Sequence, residues 1–432
     1  MDRAAPASHE GISVSSIQST VALDLTFATG GIRFVNVPGG SQVSAAAMTL
    51  DTQGRIYLAG CYPAPGRQFW LARFGADGEP DTGFGHKGMV IDTFAPAQES
   101  VATAVTLTRA GDILVTGVTR HGKGLALYDT TGQPKAGFGA DAKVVLGPPD
   151  TAGNSIDFAC ALASLGSNTT SSLELADGRL LVIANYLAAH SSGMIYRLNA
   201  DGSLDTTLGG KGYLFVRHPI HQGASTLIEQ LLVQPDGKWL GLGTLTRPSG
   251  KESMFFRLHG DGSADHTFGS AGFVLVKRPM PAHTQLLQHT DGRIVGVGSD
   301  YIGAFVGLLL GHEANGMADT GFNNGTPLQP RLNEEPTMFN AARLDAQGRI
   351  VVAGAIIKPA TGMGTLSVAR YLETGELDLS FNQQGWLQLQ IGADENLAQT
   401  LLVQPDGNLL VAGSSADGGF VLRLTGSPEA AL

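Results

Sequence analysis

The chain has 432 residues and a formal net charge of −10, with 15% charged residues, 59 glycines and two cysteines, Cys61 and Cys160. That balance argues against a general nucleic-acid binder, and two cysteines exclude a disulfide framework. No apolar leader opens the chain and no stretch is long enough to span a bilayer. The expectation is a soluble monomer without membrane insertion. A cytoplasmic location follows from the missing leader, with signal-less secretion as the other route.

Taken in order, residues 1–23 are polar and small and read as an N-terminal arm, with Ile12, Val14, Ile17 and Val21 placed to dock on a last sheet or to fray. Residues 31–37 form a first apolar run with no sheet of its own. Four short runs then recur. In the first unit they fall near 44–50, 55–60, 69–74 and 88–92, and in the second at 101–107, 112–116, 124–128 and 143–146. The third unit follows an insertion at 147–169 and has its second run at 179–183. The fourth has runs near 228–234 and at 254–258, the fifth at 293–297 and 306–310, and the sixth spans about 339–389. The chain closes with three runs, the last at 420–424, and a tail at 426–432.

Two anchors keep the beat of this repeat. Turn glycines at Gly54, Gly111, Gly178, Gly237, Gly292, Gly348 and Gly407 are 55 to 67 residues apart. Phe27, Phe84, Phe138, Leu208, Phe268, Phe322 and Phe381 each lie three residues after an aspartate (a lysine, Lys135, in the second unit). Four short strands per period, with no useful helical pattern, make an array of antiparallel sheets. A radial ring leaves only short protected edges. The expected fold is therefore all-β: one seven-bladed β-propeller over residues 24–425, its last blade made by pairing the N-terminal outer strand with the three C-terminal strands. The first strand of each unit, rich in alanine, belongs innermost. A glycine near the end of the second strand in six units signals a bulge or close backbone approach. Pro327 and Pro330 suit an outermost strand.

The segments at 199–207, 234–238, 261–269 and 404–407 resemble the bacterial delta-60 repeat family over roughly residues 24–425. That resemblance implies a propeller-like fold and carries no chemistry. Units two and three depart most, at Lys135, Leu208 and the insertion.

A propeller has two rims. The rim with the repeated Asp-Gly turns is nearly uniform, as expected if its aspartates and threonines satisfy turn backbone. The opposite rim differs from unit to unit, which is where binding residues collect. Its candidates are Arg67, Arg120, His121, Tyr186, Arg217, His218, His221, Arg247, Arg278 and His283. Together they read as a positive sector, diluted by Glu99, Glu252 and Asp300, that would attract an anion or acidic partner. Tyr62, Tyr186 and Tyr301 would add amphipathic contact area for a protein or glycan.

His218, His221 and His283, with His190 as a further candidate, offer a transition-metal site, against the reading of solvated loop histidines. Asp24, Asp81, Asp205, Asp265, Asp319 and Asp378 recur singly and lack the density of a calcium loop. Inner strands supply Gln230, Gln285, Gln288, His289 and Asn340, not at matching positions. No nucleophile elbow, phosphate loop or Cys-x-x-Cys is present, so no cofactor is expected. The favoured function is a non-catalytic binding or scaffold protein gripping an acidic macromolecule, protein or glycan. The alternative is a metal-dependent hydrolase or lyase at the channel mouth.

Overall fold

The computed structural model describes residues 21–38, 43–62, 67–149, 172–186, 192–391 and 395–426. Ile12, Val14, Ile17, Cys160, His190, most of the 147–169 insertion and residues 427–432 lie outside them.

Seven antiparallel blades follow one another. Strand β1 (Ile32–Phe34) precedes blade 1, formed by β2 (Ser44–Leu50), β3 (Ile56–Tyr62), β4 (Gln68–Phe74) and β5 (Met89–Asp92). Blade 2 has β6 (Ser100–Leu107), β7 (Ile113–Thr119), β8 (Gly122–Tyr128) and β9 (Lys143–Leu146). Blade 3 has β10 (Ser172–Glu174), β11 (Leu180–Tyr186), β12 (Ser192–Leu198) and β13 (Tyr213–Val216). Blade 4 has β14 (Ser225–Val233), β15 (Trp239–Arg247), β16 (Gly250–Leu258) and β17 (Phe273–Arg278). Blade 5 has β18 (Ala282–Gln288), β19 (Ile294–Tyr301) and β20 (Phe305–His312). Blade 6 has β21 (Thr337–Leu344), β22 (Ile350–Ile357), β23 (Gly364–Tyr371) and β24 (Trp386–Leu389). Blade 7 joins β25 (Asn396–Val403), β26 (Leu409–Ser415) and β27 (Gly418–Leu424) to β1, in register Ile32↔Leu422 and Phe34↔Phe420.

Neighbouring blades meet through their innermost strands in cyclic order, β2, β6, β10, β14, β18, β21, β25 and back to β2. Each interface is filled by one apolar cluster drawn from two adjacent blades. Val21 is buried in the cluster between blades 6 and 7, and Leu23 bridges Leu424. In blade 5 the fourth segment makes a bridge rather than a strand. Leu328 exchanges two hydrogen bonds with Leu309, and Gly307 donates to the Pro330 carbonyl. Pro327 and Pro330 have no amide hydrogens to extend that ladder.

The repeated glycine of the second strand marks a bulge. Six innermost strands skip one residue opposite it: Ala46, Thr103, Glu229, Thr284, Asn340 and Gln399. The skip pushes the inner carbonyl toward the partner strand. A Cβ at Gly354 would lie 1.9 Å from the Met338 oxygen, and one at Gly60 1.8 Å from that of Ser44. Only glycine fits.

The uniform rim is a chain of hooks between blades. In blade 4, Arg257 Nε donates to Asp265 Oδ2 (2.7 Å), and Nη2 to Thr267 Oγ1 (3.0 Å). Its Nη1 reaches the Ala314 carbonyl of blade 5 (2.7 Å). The guanidinium lies 4.8 Å above the Phe268 ring, and that ring sits where a Cβ on Gly316 of blade 5 would fall. Arg423–Asp24, Arg73–Asp81 and Arg197–Asp205 repeat the hook, each reaching a carbonyl of the next blade. In these four blades the recurring aspartate therefore serves the ring. Burying one such phenylalanine contributes about 2–3 kcal/mol. Blade 2 carries Leu127 and Lys135 instead, and Lys135 pairs with Asp112 (2.9 Å).

Candidate functional site on the variable rim

On blade 5, the two-stranded tip of β19 and β20 presents Tyr301 opposite Phe305. Their rings meet edge to face at 5.3 Å. Both are exposed, as are Ile302 beside them and Met280 in the turn before β18. This tip is held from below by a single carboxylate. Asp300, with a fully buried side chain, accepts Arg278 Nε (2.8 Å) and Nη2 (2.7 Å) on Oδ2. Its Oδ1 accepts the amides of Met280 (2.8 Å) and Tyr301 (2.9 Å). One residue thus ties the connection between blades 4 and 5 to the tip of blade 5, and the exposed aromatic pair stands on a rigid base. Large side chains on a locked support are suited to protein contact, because little entropy is lost on binding.

Beside it, the connection between blades 3 and 4 holds a histidine stack. His218 is buried against Phe273 (5.0 Å between centroids) and His221 (4.7 Å), and its Nδ1 accepts the Ile220 amide (3.2 Å). Burial, with His221 and Arg247 adding to it, lowers the His218 pKa. Arg247 Nη1 lies 3.3 Å from His221 Nε2, and Arg247 also pairs with Glu252. Arg217 is exposed and stacks on Phe215 at 4.7 Å.

The positive sector read from the sequence is corrected by these pairings. The three acids that were to dilute it are partners of three of its arginines: Glu99 of Arg120 (2.8 Å), Glu252 of Arg247 and Asp300 of Arg278. Arg67 and Arg217 have no carboxylate partner among the described residues, and His121 is exposed.

Tyr186 is a second correction. It ends β11 in the core between blades 2 and 3, donating to the Leu146 carbonyl (2.8 Å) and accepting from Tyr196 (3.2 Å). Tyr62 is likewise buried and donates to Gln68 (2.7 Å). His283 is a third. It lies inside β18 rather than in a loop, with burial pushing its pKa down to about 4 and both ring nitrogens unpartnered. Among the described residues no three histidine, cysteine or acidic side chains gather as a metal site, so His218 and His221 meet each other without His283.

The role of Asp300 was not legible in the sequence, and of the apolar tip only Tyr301 was read as contact area; its pairing with Phe305 across a three-residue turn was not. Gln230 and Gln285 do occupy one equivalent position, directly after the bulge, once the skipped residue is counted. Cys61 is a buried free thiol, and no helix among the described residues is long and apolar enough to cross a membrane.

With this geometry in hand, residues 175–208 match the family model of a β-propeller domain of unknown function, DUF5122. No curated protein matches the sequence. Among solved structures, the chain is similar to Drosophila semaphorin 1a extracellular domains 1–2, at 11% identity and TM-score 0.46, over 90% of this chain and 86% of that one. It is also similar to the polysaccharide lyase Uly1, at 10% identity and TM-score 0.46, over 96% and 94%. A third similar structure is an ulvan lyase, at 8% identity and TM-score 0.48, over 90% and 94%. The class is a seven-bladed β-propeller.

Proposed function

We propose that the protein is a non-catalytic binding module that grips a protein partner with the variable rim of blades 4 and 5. The observation that carries this reading is the exposed Met280–Tyr301–Ile302–Phe305 surface on its Asp300 base. Lys277, exposed in β17 three residues before Met280, flanks it and favours an acidic rim on the partner. On the other rim, the arginine–aspartate pairs of blades 1, 3, 4 and 7 are engaged in blade-to-blade hooks.

The test is capture from a lysate of the source cells. Wild type is compared with Tyr301→Ala/Phe305→Ala and with Leu25→Ala/Leu379→Ala, a control pair of exposed residues on the uniform rim. A partner held by wild type and control but lost by the first variant is expected. Equal retention by all three sinks the assignment, and a glycan as occupant would appear as release by free sugar.

A further inference from the structure

At the uniform-rim end of the axis, the innermost strands of blades 4, 5 and 6 line an open cavity of about 480 Å³. Gln230, Gln285, Gln288 and Arg343 contribute its polar groups, and Leu232 and Leu287 its apolar wall. Arg343 stands out on three counts. The equivalent positions of the other six inner strands hold Thr49, Thr106, Leu173, Leu232, Leu287 and Leu402, so it is the one charged residue in that ring. It has no carboxylate within ion-pair distance among the described residues, unlike the arginines of the hooks. Its hydrogen bonds all leave from one nitrogen: Nη1 donates to Gln285 Oε1 (2.8 Å) and to the Ala342 carbonyl (2.7 Å).

Those two bonds fix the guanidinium plane and leave its Nε–Nη2 edge unclaimed among the described residues. That edge carries two parallel N–H groups spaced for a planar oxyanion. The position of Gln285 is itself built in. Gln230, one blade earlier at the equivalent site, accepts the Leu286 amide and so holds β18 beside it. Arg343 is half-buried, and a partly desolvated cation without a counter-charge is costly; burial lowers its guanidinium to about 10. An incoming anion offsets that cost, while the leucines cover an apolar body.

We infer that this axial cavity is a binding site for a small organic monocarboxylate, held bidentate by Arg343 with its apolar part against Leu232 and Leu287. The site lies at the end of the ring opposite the Tyr301 tip and does not depend on what that tip binds.

Calorimetric titration of the full chain with benzoate, octanoate, benzyl alcohol and inorganic phosphate tests it, with thermal unfolding in parallel. Saturable benzoate or octanoate binding and a raised Tm are expected, with at least a tenfold weakening in Arg343→Gln. Arg343→Lys keeps the charge but loses the fork, and is expected to weaken binding as well. Gln288→Trp fills the cavity with Arg343 in place and should abolish binding even where the arginine variants fail to fold. Absent saturation by either carboxylate overturns the inference. So do undiminished affinity in Arg343→Gln or in Gln288→Trp, equal binding of benzyl alcohol, and binding of phosphate alone.

Discussion

Glu229 occupies the bulge of β14, where the ring has Ala46, Thr103, Thr284, Asn340 and Gln399 in other blades. Thr244 donates to its Oε1 (3.2 Å), and its Oε2 is sealed from solvent without a partner. Burial pushes its carboxyl up to about 8 from the ordinary 4.5, against the weaker pull of Thr244 and Lys251. The protonated form is therefore the folded form at neutral pH. A raised carboxyl binds its proton more tightly folded than unfolded. Its stabilising effect is complete below the unfolded pKa and is lost as pH rises through the folded one. At about 1.4 kcal/mol per pH unit, this amounts to roughly 3–4 kcal/mol lost between about pH 5 and pH 8. Glu229→Gln keeps the shape and the acceptor for Thr244 but cannot ionise. Urea unfolding of both proteins at several pH values is the assay. The variant should gain on wild type by roughly that amount across the interval, and the gain should level off above about pH 9. A stability difference independent of pH would refute the reasoning, because it would mean that water reaches the carboxylate.

Other outcomes follow from the same geometry. Gly354→Ala places a Cβ 1.9 Å from the Met338 oxygen, and should cost about 2–4 kcal/mol in chemical unfolding by forcing the inner bulge open. Asp265→Asn leaves Arg257 without its carboxylate between blades 4 and 5, and should cost about 3 kcal/mol at neutral pH. Although burial opposes it, hydrogen bonds from Thr267 and Arg257 hold the Asp265 carboxyl far below the usual carboxylate range. Its contribution is present above the unfolded pKa and is lost only in strong acid, so the deficit of Asp265→Asn should persist well below pH 4. Tyr301→Ala/Phe305→Ala removes two exposed rings and should change stability by less than about 1 kcal/mol while abolishing partner capture. Asp300→Asn should loosen the same tip, read as faster amide exchange at Met280 and Tyr301, whose amides it now receives.

The beat of Asp-Gly turns and Asp-x-x-Phe anchors, the all-β class, the inner place of the alanine-rich strands and the bulge glycines all followed from the order of residues. These features repeat, and each depends on contacts between strands adjacent in the chain or on a turn conformation that glycine alone adopts freely. The Arg73, Arg197 and Arg257 hooks were half visible, since their aspartates recur along the chain but the carbonyls that their arginines reach belong to the next blade. Tertiary structure alone decided which charges remain available. Arg278 reads as a free rim cation until Asp300, across a blade interface, takes it, and Tyr186 reads as a loop aromatic until β11 carries it into the core. Gln230 and Gln285 look out of step until the bulge is counted. Arg343 looks like an ordinary strand residue until its neighbours prove to be two neutral acceptors and a cavity. Periodicity is a property of short stretches, whereas desolvation and pairing are set by whichever groups the closed ring brings alongside from another blade.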